Sequence, residues 1–394
     1  MFDTLDAVRD DFIRRLERAA TDRHLPMHLA TLATSDADAR VLVTYGGGSI
    51  KQNGVYNQVM AALSGRSITE FGGIEPNPQY ETLKKAVDLA RKEQVNFVVA
   101  VGGGSVIDGT KFIVAAMEYE GDEPWDILSK KAPVSGAVPF GTVLTLPATG
   151  SEMNSGAVIT RAETKEKFSF GSPYTFPKFS VLDPETTYTL PLRQISNGIV
   201  DTFTHVLEQY LTYPVNAPLQ DRMAEAILLT LSEEGPKALA NPQDYDTMAN
   251  FMWCATMALN GVIRVGVPTD WATHYIGHEL TALHGIDHAR TLAIVLPSLL
   301  RYKQESKKEK LLQYGERVWG VSAGTEDERL EATIQATIAF FESLGIKTKL
   351  TDYEVGGDTI KEIVRRFEER GVKDLGERAD IQIKDVEEIL TMSL

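Results

Sequence analysis

Residues 96–101, apolar from Phe97 onward, read as a strand that passes without a break into Gly102-Gly103-Gly104-Ser105-Val106-Ile107-Asp108 and then into the apolar, helix-like segment 111–116. Few folds accommodate that order. Glycines between a strand and a helix let backbone N–H groups approach a phosphate at the positive end of the helix. The same glycines can also serve only to pack a tight turn, and one cluster alone does not separate the two readings. Residues 41–44 repeat the theme, a buried-looking strand leading into Gly46-Gly47-Gly48-Ser49. Helical patterns at 54–63 and 80–92, with a loop at 71–78 between them, then alternate with the strands. That alternation predicts a parallel sheet wrapped by helices, a Rossmann-like nucleotide-binding α/β domain.

The first glycine cluster is informative for what it lacks. In a dinucleotide site an acidic residue near the end of an early strand binds the ribose hydroxyls and repels a 2′-phosphate. No Asp or Glu stands between Thr44 and Ile50, while Ser49 can donate a hydrogen bond and Lys51 carries a positive charge. This corner is therefore expected to accept NADP(H) in preference to NAD(H). A third element, Thr145-Leu146-Pro147-Ala148-Thr149-Gly150-Ser151-Glu152, follows the apolar pair Val143-Leu144. Its hydroxyls can bond a cofactor or simply close a turn. Lys165 and Lys167 lie in a polar, hairpin-like stretch, either as surface groups or within reach of a ribose.

Beyond Leu182-Asp183-Pro184 the pattern changes to long helical segments at 195–211, 220–232, 247–259, 270–283, 292–302, 308–318, 327–344, 360–370 and 386–391. The expected division is an atypical segment 1–38, an α/β dinucleotide-binding domain 39–190 and an all-α metal-binding domain 191–394. With 43% hydrophobic residues in 394, the chain has material for two cores.

The histidines supply the chemistry. Only seven occur, and five of them, His205, His274, His278, His284 and His288, fall in two windows of the helical half. Asp201 and His205 are four apart, as are His274 and His278, so each pair shares one helical face. A carboxylate with imidazoles and no thiolate suits Fe2+, Zn2+ or a similar divalent ion. A zinc-protease reading fails, because Ala282 stands where that helical motif needs its second histidine.

Charge and cysteine usage close off other classes. A net charge of −15 without any basic run argues against nucleic acid or an anionic membrane as partner. Cys254 is the one cysteine, which excludes an internal disulfide and a Cys-based zinc cluster. No apolar run long enough to span a membrane is met, so a cytoplasmic location is expected. Residues 3–23 read as an amphipathic helix, 27–34 as a strand and 35–38 as a turn.

Together these motifs resemble the iron-containing (group III) alcohol dehydrogenases. They are Tyr45-Gly46-Gly47-Gly48-Ser49, Gly102 through Asp108, Thr145 through Glu152, Asp201-Thr202-Phe203-Thr204-His205 and Trp271-Ala272-Thr273-His274 through His288. The likeness is greatest to the NADPH-dependent aldehyde reductase and butanol dehydrogenase branch, and it runs from about residue 39 to the end. It implies that Asp201, His205, His274 and His288 hold the metal, with His278 beside the nicotinamide either as support behind the ligands or as a proton relay. It places Gly46, Gly47, Gly48, Ser49 and Lys51 around the 2′-phosphate and Gly102, Gly103, Gly104 and Ser105 at the pyrophosphate. Asp108 joins the cofactor set by orienting that loop; Thr145, Thr149 and Lys167 face the nicotinamide ribose. His284 falls outside the matched positions. The implied protein is a homodimeric, metal-dependent NADP(H) alcohol dehydrogenase or aldehyde reductase acting on a small aldehyde or alcohol. The segment 1–38 departs from the branch, which normally opens with a short strand and a Phe-Gly-x-Gly turn that helps the dimer form. Two other readings compete. A dehydroquinate-synthase-like lyase shares the architecture, but residues 270–287 lack the basic groups an anionic substrate would need. An inactive protein that binds nucleotide and metal is the other.

Overall fold

Val41, Leu42 and Val43 are all almost wholly buried, although neighbours in a strand face opposite ways, so this strand is covered on both faces. The structure, a computed structural model, describes residues 39–394. The helix expected over 3–23, the strand over 27–34 and the turn at 35–38 lie outside the described residues. The strands are β1 (Arg40–Tyr45), β2 (Ser67–Phe71), β3 (Phe97–Gly103), β4 (Phe140–Leu146), the hairpin β5 (Gly156–Arg161) and β6 (Glu166–Gly171), and β7 (Ser180–Leu182). Five of them make one sheet in the order β2-β1-β3-β4-β7, every pairing parallel. Between strands run α1 (Ser49–Gln52), α2 (Val55–Ala62), α3 (Tyr80–Lys92), α4 (Gly104–Met117) and α5 (Asp126–Ser129).

The chain winds outward from β1 to β2, then returns to the other side of β1 to lay down β3 and β4. Strand order reverses at that point, and ligands of open parallel sheets bind at the carboxyl ends of the strands there. Tyr45 and Val101 are partners in the β1–β3 register, so Gly46 and Gly102 leave that edge side by side. The two glycine clusters, more than fifty residues apart in sequence, become neighbours about 5 Å apart across adjacent strands.

The helical half contains α6 (Leu192–Tyr210), α7 (Pro218–Ala240), α8 (Tyr245–Leu259), α9 (Ala272–His284), α10 (His288–Tyr302), α11 (Gln304–Trp319), α12 (Glu326–Ser343), α13 (Gly357–Glu369) and α14 (Ile383–Met392). Every residue of α6 from Ile195 to Tyr210 is buried, as befits a helix surrounded on all sides. It joins the halves tightly: a methyl placed on Gly198 would overlap the Pro147 carbonyl oxygen. One turn on, Thr202 Oγ1 donates to Ala148 O at 3.1 Å. The loop after β4 thus rests on the helix that carries Asp201 and His205.

Several expectations shift. The second cluster is not a loop, since Gly102 and Gly103 finish β3 and Gly104 opens α4. Thr145 lies within β4 and only Thr149 is in the loop beyond it. The strand Ser67–Phe71 had not been anticipated, being a sheet-edge element whose residues are none of them fully buried.

Candidate active site

The site begins with two helix crossings. His274 and His278 sit on α9, which ends at Gly285 with φ 67, a left-handed value that glycine adopts at no steric cost. The chain then turns at Asp287, held by Arg193 Nε and Asn197 Nδ2 of α6, both at 2.7 Å, and enters α10 with His288. A Cβ on Gly277 would press on Thr291 and Leu292, so α9 and α10 cross closely there. Asp201 and His205 meet them from α6.

Asp201, His205 and His274 each offer a donor atom, and these atoms lie within 4.8 Å of one another. His288 Nε2 is 3.6 Å from Asp201 Oδ1, and His205 Nε2 is 3.8 Å from the same oxygen. The His205 and His274 rings stack at 4.7 Å, and the His288 ring is 5.1 Å from His274. Asp201 Oδ1, His205 Nδ1, His274 Nε2 and His288 Nδ1 are buried without a hydrogen-bond partner. Orphaned buried polar atoms are rare: Asp201 Oδ1 and His274 Nε2 need a shared partner, and His205 and His288 turn Nε2, rather than the orphaned Nδ1, toward that same Asp201 oxygen. A divalent cation fits that requirement and this donor set. Burial holds the His205 and His274 imidazoles down at about 4 against the pull of Asp201, and it holds His278 and His288 well below the ordinary histidine range. Four neutral rings therefore keep lone pairs available at neutral pH.

Sequence reading missed Glu208, three residues after His205. Glu208 Oε2 is bonded to His274 Nδ1, and Oε1 accepts the Thr273 backbone N–H at 2.7 Å. Burial, with Asp270 behind it, pushes this carboxyl up, against the Thr273 hydrogen bond, which pulls it down. A carboxylate behind a ligating histidine fixes its tautomer and raises its basicity. His278 stands outside the donor trio, its ring 5.1 Å from His288 and 6.3 Å from His274. His284 is exposed and bonded to Thr359, away from the cluster.

At the sheet edge the second glycine cluster is explained first by packing. Side chains on Gly102, Gly103 and Gly104 would overlap Val106, Leu146 and Thr149 respectively. The resulting α4 N-terminus has no side-chain cap, so its first amides stay free for an anion. Asp108 is fully engaged inside the protein, accepting Ser151 Oγ at 2.6 Å and the Val158 N–H at 2.9 Å. Buried Lys111, also unremarked in the sequence, donates to Ser151, Asn154 and Gly156 at 2.8–2.9 Å. Together they brace the loop after Thr149, whose hydroxyl accepts the Ser151 N–H at 3.2 Å.

At the first cluster, Gly47 and Gly48 face open space and Gly48 has φ 94. No acid lies along the chain there, yet Glu70 arrives across the sheet, in register with Val43. It takes hydrogen bonds from Tyr56 at 2.8 Å and Tyr45 at 3.1 Å and lies 3.5 Å from Lys51 Nζ. Lys51 in turn sits over both tyrosine rings, at 4.6 and 4.8 Å. Burial raises the Glu70 carboxyl, but these hydroxyls and the Lys51 charge outweigh it and leave the group below its ordinary range.

Lys167 links the two ends. Its Nζ donates to Asn77 Oδ1 at 2.9 Å, and the Asn77 N–H donates to Ser105 Oγ at 3.3 Å. Burial pulls the ammonium down to about 8 while the Asp201 charge raises it. A line of contacts therefore runs from α4 through Asn77 and Lys167 toward Asp201 and His278.

A glycine-rich edge of a parallel sheet, packed against a helical half that gathers Asp201, His205, His274 and His288, is an arrangement that suits a metal- and dinucleotide-dependent oxidoreductase. Residues 23–184 match the family model for iron-containing alcohol dehydrogenase, and residues 195–394 match that of the Fe-containing alcohol dehydrogenase family, C-terminal. The NADPH-dependent aldehyde reductase YqhD of Escherichia coli K12 is 58% identical over 348 residues, 88% of this chain and 90% of that protein. The probable NADH-dependent butanol dehydrogenase 1 of Bacillus subtilis 168 is 43% identical, covering 90% of this chain and 92% of its own length. The crystal structure of E. coli K-12 YqhD superposes with TM-score 0.91 at 56% identity, covering 93% of this chain and 95% of that one. That of NADH-dependent butanol dehydrogenase A from Thermotoga maritima gives TM-score 0.88 at 35% identity, over 93% and 94%. The chain belongs to the iron-containing alcohol dehydrogenase family and is an oxidoreductase. The N-terminal family match begins at residue 23, inside the segment set apart as atypical. No described helix is long and apolar enough to cross a membrane.

Proposed function

We propose that this protein is an NADP(H)-dependent aldehyde reductase and alcohol dehydrogenase in which Asp201, His205, His274 and His288 hold one divalent ion, Fe2+ or Zn2+. The observation that carries it is the convergence of His205 Nε2 and His288 Nε2 on Asp201 Oδ1, which like His274 Nε2 is buried without a hydrogen-bond partner. Gly102 to Ser105 would receive the pyrophosphate, Gly46 to Ser49 with Lys51 the 2′-phosphate, and Thr145, Thr149 and Lys167 the nicotinamide ribose. Asp108 takes a bracing part, consistent with both its oxygens being engaged. Relatives in the family bear both NADPH and NADH in their names, so the cofactor preference rests on the Lys51 corner.

When bound, the ion supplies Lewis acidity for a carbonyl oxygen and NADPH supplies the hydride. The chain's own contribution is placement. Asp201 and the imidazoles fix where a carbonyl oxygen can rest, Glu208 keeps His274 in the tautomer that points Nε2 at that place, and buried α6 excludes water from behind. His278, next to His274 and His288 but outside the donor trio, can pass a proton to the alcohol oxygen. The domain limits 39–190 and 191–394, the homodimer and the cytoplasmic location belong to the same proposal.

The test is NADPH oxidation by purified, metal-analysed protein over a series of straight-chain aldehydes, repeated with NADH. Aldehyde-dependent oxidation that vanishes on chelation and favours NADPH is expected. Bound metal and cofactor without turnover would favour the inactive binding protein instead.

A further inference from the structure

Trp271 immediately precedes α9 and carries φ 67, a left-handed conformation that is a true outlier for so bulky a residue. Such strain persists only where the surroundings over-determine it, and it gathers at sites of function. The surroundings here are explicit. Asp270 Oδ1 accepts the Ala272 N–H at 2.9 Å, and the Asp270 N–H donates to Glu208 O at 2.8 Å. Lys307, itself buried, donates to Asp270 Oδ2 at 2.7 Å. Both neighbours of the strained residue are thereby tied down.

The result is an indole set against the donor cluster. Its ring lies 5.4 Å from that of His274, nearly perpendicular at 74°, and 6.2 Å from that of His205. His278 meets His274 and His288 instead, so the indole and His278 stand at opposite ends of the row of rings. If the nicotinamide takes the His278 end, the carbon chain of a substrate is bounded at the other end by Trp271, which is only partly buried.

We propose that Trp271 is a specificity-determining residue, its indole forming the wall that limits the bulk of aldehyde able to approach His205 and His274. The inference rests on the aldehyde reductase reading and adds a named boundary to it. The variant of choice is Trp271→Gly, because glycine adopts this φ without strain and the fold should survive. Trp271→Phe keeps a smaller ring as a second variant.

Two measurements test it. In the metal-loaded enzyme with NADPH, kcat/KM is compared for butanal and 2,2-dimethylbutanal. Calorimetry with butanamide and 2,2-dimethylbutanamide, which present a carbonyl but accept no hydride, gives a readout independent of turnover. In Trp271→Gly the preference for the straight chain should fall about 10- to 100-fold in both series, with Trp271→Phe between. NADPH affinity and metal content should match the unmodified protein. An equal loss for straight and branched compounds would overturn the proposal and leave Trp271 a structural residue. Failure of the unmodified, metal-loaded protein to oxidise NADPH with any aldehyde would overturn the underlying reductase reading, whereas the amide affinities report on the wall alone.

Discussion

His274 Nδ1 and Glu208 Oε2 are bonded between α9 and α6, and this contact decides which nitrogen of His274 looks into the donor cluster. Glu208→Gln should weaken metal retention by about 10- to 100-fold, the usual effect of losing a carboxylate behind a ligating histidine. Metal content after dialysis against graded chelator, with NADPH binding followed in parallel, reads this out. Unchanged retention would remove Glu208 from the metal's support.

His274→Ala removes a donor outright. Turnover should disappear while NADPH still binds, because the glycine edge lies on the other domain. Near-normal activity in this variant would sink the assignment of His274 as a ligand.

Lys51 stands between Tyr45, Tyr56 and Glu70, held in place before any phosphate arrives. A lost hydrogen bond to a charged group is worth about 1.5–3 kcal/mol. Lys51→Ala should therefore raise the KM for NADPH by about tenfold or more while barely moving that for NADH. Parallel losses with both cofactors would mean that Lys51 serves the fold and not the 2′-phosphate.

Cys254 is buried on α8, and burial pushes its thiol from an ordinary 9.0 up to about 12. Between those values the folded protein holds a proton that the unfolded chain has lost, so this group lowers stability as pH rises through that window. At about pH 8 only roughly one thiol in 10,000 is ionised, too few for ready alkylation. Native protein should resist iodoacetamide there and take up one equivalent on unfolding; stoichiometric labelling of folded protein would contradict the buried placement.

The distance between the halves rests on Gly198, where a methyl has no room beside the Pro147 carbonyl. Gly198→Ala should destabilise the protein by about 1–3 kcal/mol, the range for forcing a methyl into a filled space. Denaturant unfolding measures it, and an unaltered midpoint would show that the contact relaxes freely.

What could be read from the chain was what local pattern encodes. The span Tyr80–Lys92 was delimited to the residue because its apolar positions recur at helical spacing between polar ones. His205 and His274 were legible because histidine is scarce here and each has a polar partner four residues away on the same face, whereas His288 was singled out only by the family resemblance. Glu208 was not, since a lone glutamate on a helix reads as solvated surface until the fold buries it. Glu70 escaped notice for a different reason: it reaches the first glycine cluster by strand pairing from β2, and pairing partners are not adjacent in sequence. The backbone of Trp271 is likewise invisible to composition, because its strain is imposed by Asp270, Glu208 and Lys307 from three separate segments.

The seating of Gly198 on the Pro147 carbonyl has a mechanical consequence. Backbone meets backbone there without an intervening side chain, and Thr202 ties the next turn to Ala148 at 3.1 Å. Sliding the helical half across the sheet would break both, so these two contacts set the register in which the loop after β4 meets the helix that carries Asp201 and His205.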